Sequence, residues 1–356
     1  MSKAVHTPDW SKNNPYQSLL KNSLKNTGWN VHFENYPEDY LPFYRLSKLH
    51  PDMQVLHIHW IADLCSRICW QKNPVKFYLR CFFIFLDLKL VRRKGIRVIW
   101  TIHNKISHQS LDPKKELIIR KIMLNGSDKV IVHSKAAVNV LEDLYQKNFS
   151  DKASVIFHGN YDGVYPSAEG TQTELKVKHG MDSESKLLLF FGAVRPYKGI
   201  ENLISTFNLQ NFANDKIKLV IAGNTPDETY KSKLTDLAQG NSNILLDFKY
   251  IPDQLLVNYL EMADIVVLPF SDTLTSGSVL LAMTLGKALI LPESAKVLGC
   301  IPEGGALYFR NNEEFSAILS NINKIDTRQM GSLNLESSKK CNWDKVAKLT
   351  AATYID

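Results

Sequence analysis

Short apolar runs recur along the chain with helically spaced or polar stretches between them, the pattern of a mostly parallel, doubly wound α/β sheet. Ala4 to His6, Trp29 to Phe33, Val55 to Trp60, Val98 to His103, Val130 to His133 and Ser154 to His158 are predicted strands of the first half. Leu187 to Phe191, Lys218 to Ala222, Ile244 to Tyr250, Ile265 to Phe270, Ala288 to Leu291 and Ala306 to Phe309 repeat the alternation in the second. Between them, residues 159–184 turn to Gly, Ser, Thr, Pro and charge, as an interdomain connection does. Two successive Rossmann-like domains follow from this, residues 1–162 and 163–341, with a helix at about 342–356 expected to pack back on the first. Such sheets bind ligands beyond the carboxyl ends of their strands, so two facing sheets would hold a substrate in the cleft between them.

The segment after the first strand of the second half is the most informative. Gly192 lets the backbone leave the strand, Pro196 limits the loop, and Gly199 opens a helical pattern with apolar Ile200, Leu203, Ile204 and Phe207. Arg195 and Lys198 sit at that mouth, where unpaired backbone N–H groups and the positive helix end favour an anion. They are either solvated surface cations or ligands of a phosphate. Farther on, Thr275-Ser276-Gly277-Ser278 opens another helix with small hydroxyl residues, suited both to an N-cap and to cradling a diphosphate.

Composition narrows the class. The chain has 356 residues, 44% hydrophobic and 22% charged, enough for two ordinary globular cores. Its net +7 is uneven: residues 1–160 carry 24 Lys and Arg against 13 Asp and Glu, residues 161–356 carry 19 against 23. The five cysteines form no Cys-x-x-Cys pair and no secretory signal precedes them, which fits a reducing cytoplasm. No apolar run approaches the roughly 20 residues that cross a bilayer.

Taken together, His57-Ile58-His59-Trp60, Thr101-Ile102-His103-Asn104, Phe157-His158-Gly159, the Gly192 to Gly199 segment, Val220 to Asn224, Tyr250 to Leu255 and Ala263 to Phe270 resemble, in this order, a GT-B glycosyltransferase. Asn14-Pro15-Tyr16, the early His-x-His-Trp, Arg195-Pro-Tyr-Lys-Gly, Ser276-Gly277-Ser278 ahead of Leu-Leu-Ala, and the aromatic C-terminal segment with Trp343 and Tyr354 are most similar to bacterial exopolysaccharide β-mannosyltransferases of the xanthan-assembly type. The resemblance implies a GDP-mannose donor and a lipid-pyrophosphate-linked oligosaccharide acceptor. More distantly the chain resembles the large retaining family of this fold, with one departure. Aligned on Leu280 to Met283, the Glu-x7-Glu pair of that family is replaced by Thr273 and Leu281. Loss of both carboxylates, with the β-mannosyltransferase resemblance, favours inversion.

An inverting transfer needs a general base for the acceptor hydroxyl. His103, ending a strand ahead of Asn104, is one candidate, since the resemblance places a histidine here near the transferred sugar. Asp63, just past His-x-His-Trp, is another. Asn14, His59, Asn104 and His158 are candidate substrate-binding residues. His57 and His59 are assigned to opposite strand faces, with His59, nearer the carboxyl end, facing the site. Gly192, Arg195, Lys198 and residues 275–278 are assigned to the donor diphosphate. No Asp-x-Asp, His-x3-His or Cys/His ligand spacing occurs, so neither a metal nor another cofactor is expected.

Two other function classes remain open at this level. A nucleic-acid-binding protein would share the basic half, but no recognised module or long basic patch is present and no nucleic-acid partner is expected. A nucleotide-sugar-binding protein without catalysis would share the missing carboxylates, and a retaining enzyme using a UDP- or GDP-sugar is the remaining catalytic alternative. Residues 75–94 combine aromatic and aliphatic side chains with Lys76, Arg80, Lys89, Arg92, Arg93 and Lys94. They read either as a helix buried against the first sheet or as an anionic-membrane contact, peripheral on the inner face of the plasma membrane.

Overall fold

In a computed structural model, the described residues are 2–356 except 13, 108–109, 167–173, 176, 178–179, 182–184, 211 and 213–215. They form two compact units. One contains Met1–Gly159, Val297–Gly299 and Cys341–Asp356; the other contains Asn160–Lys296 and Cys300–Lys340. Part of the 159–184 stretch expected to connect domains lies outside the described residues.

The first unit holds a six-stranded sheet: β1 Ser2–Thr7, β2 Trp29–Phe33, β3 Val55–Ile58, β4 Arg97–Thr101, β5 Lys129–Val132 and β6 Ala153–Val155. Its order is β2-β1-β3-β4-β5-β6 and every pairing is parallel. The central strands β3, β4 and β5 are buried on both faces and need apolar side chains nearly throughout, which is why they read as runs, whereas edge strand β2 alternates. Helix Pro15–Lys25 begins as its sequence dictates: Asn14 Oδ1 accepts from the Tyr16 amide at 3.0 Å and Pro15 occupies the first helical position. Its Tyr16, Leu20 and Leu24 join Val346, Ala347, Ala351 and Tyr354 of the C-terminal helix Trp343–Ile355 in one core over the sheet. The fit there is close. A Cβ on Gly159 would lie 2.3 Å from the Trp343 ring.

The second unit holds β7 Lys186–Phe191, β8 Ile217–Ala222, β9 Ile244–Asp247, β10 Ile265–Val267, β11 Ala288–Pro292 and β12 Ala306–Phe309. Its order, β12-β11-β10-β7-β8-β9, is again all parallel. This is the Rossmann arrangement, whose direction of winding reverses between β7 and β10. The loops leaving the carboxyl ends of those two strands therefore part and open a crevice within this unit. The first unit has its own reversal between β1 and β3.

Helix Pro74–Arg93 has one face buried in the unit and one apolar face exposed. Phe77, Cys81, Ile84, Asp87, Leu88 and Val91 are buried. Val75, Tyr78, Leu79, Phe82 and Phe85, at helical spacing on the other side, are 46% to 73% exposed.

Candidate active site

In the second unit the residues assigned to a diphosphate converge on the reversal point. Gly192 leaves β7 at φ 109°, and a Cβ placed on it would stand 3.6 Å from Ser278 Oγ, so the loop after β7 and the helix after β10 meet here. Pro196–Lys198 form one 3-10 turn, and helix Ile200–Asn208 follows. Gly199 is required twice over: its φ is 72°, and a Cβ would lie 2.1 Å from the Pro269 carbonyl oxygen.

That turn holds Lys198 against aromatic surface, its Nζ 5.2 Å from the Tyr197 ring centre and 5.9 Å from that of Phe270. Burial pushes the ammonium pKa down, and among the described residues no carboxylate pairs with it. The Arg195 guanidinium donates to the Val194 carbonyl at 3.4 Å and, among the described residues, pairs with no carboxylate. Two cations at a crevice without anionic partners among the described residues are a site suited to an anion.

Ser276 is the N-cap of helix Gly277–Thr284, its Oγ accepting from the Val279 amide at 3.3 Å. The amides of Gly277 and Ser278 begin the helix and have no acceptor within it. Cap and anion cradle are thus the same turn. At the positions of the missing Glu pair, Thr273 is buried and donates from Oγ1 to the Thr275 carbonyl at 2.8 Å, and Leu281 is core. A Cβ on Gly277 would lie 2.8 Å from the Tyr161 hydroxyl. Gly277→Val is therefore expected to displace the turn and weaken nucleotide-diphosphate binding by on the order of tenfold, about the 1.4 kcal/mol that one decade of affinity represents. Calorimetric titration checks this, and unchanged affinity would move the diphosphate elsewhere.

The first unit brings together more histidine than expected. His6, His57, His59, His103, His133 and His158 all stand at the carboxyl ends of their strands, five of them buried. Ring contacts tie His59, His103, His133 and His158 to Tyr16, whose ring centre lies 5.0 Å from that of His103 and 4.8 Å from that of His158. Trp10 stacks on Trp60 at 4.9 Å, and Trp60 stacks on His103 at 4.3 Å. The assignment of His57 and His59 to opposite faces is corrected. Residues two apart on a strand share a face, and these two rings stack at 4.1 Å, with His57 the register partner of His6.

All six imidazoles are held below their ordinary range, by burial first and, for all but His133, by one another's charge. His133 falls to about 4 and His158 to about 3. At neutral pH the row is uncharged. Asn104, beside it, is fixed by Arg120, which donates to its carbonyl at 2.8 Å and pairs with buried Glu116 at the same distance. Asn14 serves as the helix cap described above. Asp63 is exposed in the first turn of helix Ala62–Cys69.

Sequence spacing gave no hint of a metal cluster, yet among the described residues His6, His57 and His59 bring ligand nitrogens within 4.8 Å of one another. Their geometry does not suit one ion. With the His57 and His59 planes only 28° apart and stacked, their lone pairs run alongside each other instead of converging. Each of the three also meets a hydrogen-bond partner: Tyr354 with His6 and His57, and His6 with His59.

Comparison with known proteins joins these observations. The family model described as glycosyl transferases group 1 matches residues 171–313, the part of the chain that carries Arg195, Lys198 and Ser276 to Ser278. The chain has the GT-B fold, and its second unit carries the match to glycosyl transferases group 1. The protein named GDP-mannose:glycolipid 4-beta-D-mannosyltransferase from Xanthomonas campestris pv. campestris is 22% identical over 305 residues, 85% of this chain and 79% of that protein. Sucrose-phosphate synthase from Thermosynechococcus elongatus superposes with a TM-score of 0.75 at 15% identity, covering 99% of this chain and 98% of that one. Anabaena HepE, solved with UDP and glucose, gives 0.73 at 11% identity and 99% of each chain. His6, His57, His133 and Tyr354 were not assigned to the site from sequence. The available signal was a histidine at the end of strand after strand.

Proposed function

We propose that the enzyme transfers mannose from GDP-mannose to a lipid-linked oligosaccharide, with inversion and without a metal ion. The observation that carries this is Lys198: a desolvated ammonium with no carboxylate partner among the described residues, at the reversal point of a Rossmann sheet beside Arg195 and the Ser276 to Ser278 turn. Fixed cations and helix amides there neutralise the diphosphate as it leaves, the work a magnesium ion does elsewhere. The mannose donor and glycolipid acceptor are supported by the name of the Xanthomonas relative. Inversion is supported by Thr273 and Leu281 standing where the retaining pair would be. His103 is the better base of the two candidates. It is neutral, buried among aromatic rings and ready to accept a proton, whereas Asp63 is an exposed carboxylate in water. A panel of labelled GDP- and UDP-hexoses tests the assignment: turnover with a UDP-sugar alone would replace the donor, and turnover with none would leave a binding protein.

A lipid-linked acceptor is met at a bilayer, and the exposed stripe of helix Pro74–Arg93 is the surface for it. No helix among the described residues is long and apolar enough to cross a membrane. Five apolar side chains flanked by exposed Lys76, Lys89 and Arg93 instead favour peripheral attachment to anionic lipid, each cation contributing about 1 kcal/mol near the surface. Arg92 and Lys94 are engaged within the unit, with Asp128 at 2.7 Å and with Ser47 Oγ at 3.0 Å, so they are poor probes. The protein is expected to co-sediment with anionic vesicles at low salt and to lose that binding in Phe82→Ser/Phe85→Ser and in Lys89→Glu/Arg93→Glu. Equal partitioning of parent and variants would remove the membrane contact and leave the transfer chemistry standing.

A further inference from the structure

The histidine row has a direction. The Ile156 carbonyl can only accept, so His133, with Nδ1 2.8 Å from it, carries its proton on Nδ1 and presents a lone pair at Nε2. His103 Nδ1, 3.4 Å from that lone pair, must donate. The same logic then runs inward. His59 Nδ1 donates to His103 Nε2 at 3.3 Å, and His6 Nδ1 donates to His59 Nε2 at 3.2 Å. The Tyr354 hydroxyl donates to His6 Nε2 at 2.8 Å and accepts from His57 Nδ1 at 2.6 Å. His57 Nε2 is left to accept from Thr101 Oγ1 at 2.7 Å. Five neutral imidazoles and one phenol close into a chain with every ring protonated on Nδ1, tight at both ends and longer between the imidazoles.

We infer that this chain is a proton relay in which His103 passes the acceptor's proton to His133. The inference rests on His103 being the base. As the acceptor oxygen bonds to the anomeric carbon and the nucleoside diphosphate leaves with its bonding pair, the acceptor O–H breaks and its proton joins His103 Nε2, replacing the long bond from His59. The His103 Nδ1 proton crosses to His133 Nε2, one N–H lost and one gained. The charge comes to rest on His133, whose remaining N–H stays on the Ile156 carbonyl, a contact that favours the imidazolium. His59, His6 and Tyr354 are positioning residues that hold the lone pair of His103 on Nε2. Among the described residues, the titratable groups around the row are its own members, His158, Tyr16 and Tyr354, with Lys21 acting on His6 and no carboxylate among the causes given for the six shifts.

Nitrogen-15 spectra of histidine-labelled protein at neutral pH test the chain without any assay of transfer. The expected result is five buried imidazoles in the Nδ1–H form. An Nε2–H ring or an imidazolium at His103 or His133 would overturn the direction. Kinetics test the relay. His103→Gln is expected to lose on the order of 10²-fold in kcat. His133→Gln is expected to lose less, to keep its KM for donor, and to turn a bowed dependence of kcat on deuterium fraction at neutral pH into a linear one, because one proton then moves where two did. A dead His103→Gln beside a His133→Gln whose isotope dependence matches the parent's would sink the relay and spare the base. A fully active His103→Gln would remove both.

Discussion

Lys198→Ala and Arg195→Ala, made singly, are each expected to lower kcat/KM by about 10²-fold or more while the protein stays folded. Each removes a fixed cation from a leaving group whose charge grows as the glycosidic bond breaks, and one such preorganised contact is worth roughly this much. Stability should move the other way. The folded-state pKa of Lys198 lies below that of the unfolded chain, so at neutral pH holding its ammonium inside costs stability. Lys198→Met, which keeps the stem against Tyr197 and Phe270, is therefore expected to melt at or above the parent temperature with the activity gone. A variant both destabilised and active would show that the lysine serves the fold. Arg195→Lys should recover part of the loss at most, since a single ammonium does not reproduce a planar fork.

Acid should unfold the protein abruptly. The six strand-end imidazoles have folded-state pKa values below the ordinary 6.5, so stability is fully present above that pH and is lost as pH falls toward the folded values. A group still neutral in the folded protein withdraws about 1.4 kcal/mol per pH unit below 6.5, about 4 kcal/mol by pH 5 for His133 and His158 together, and the other four act in the same direction. Asp87 works in the opposite sense. Burial raises its carboxyl to about 7 against the amides of Phe43 and Tyr44, so it takes up a proton on folding and offsets about 2 kcal/mol of that loss. The remainder, with the other four histidines added, is set against a whole domain stability of about 5–15 kcal/mol. Circular dichroism against pH is expected to show cooperative loss of the first unit near pH 5, shifted to lower pH in His57→Leu. A protein still folded at pH 4 would mean that the row takes up protons without opening.

The central strands were legible because they are buried on both faces, so each has to be apolar at nearly every position and stands out from the helices around it, and the half-buried edge strands were found by following the same alternation of elements. Strand ends were less legible. The runs Val55 to Trp60, Val98 to His103 and Ile265 to Phe270 overshoot strands that stop at Ile58, Thr101 and Val267. The cause is physical: Ile102, Leu268 and Phe270 stay buried after the backbone has left the ladder, and periodicity reports burial, not pairing. Those overshoots are where the site residues lie. The Arg195 to Gly199 turn was readable because glycine, proline and paired cations each have a local reason to be there. The histidine row was not, since it depends on which strands are neighbours. His6 meets His57 only because β1 lies beside β3, and Tyr354 reaches both only because the last helix packs on that sheet.

The most direct test uses labelled GDP-mannose, a lipid-diphosphate-linked oligosaccharide and excess EDTA, with the product extracted into organic solvent and the configuration of its new linkage read by NMR. Label in the lipid phase through a β-linkage, abolished in Lys198→Ala, is the expected result. An α-linked product, a requirement for divalent metal, or no transfer from any GDP- or UDP-hexose by protein that still binds the nucleotide would contradict it.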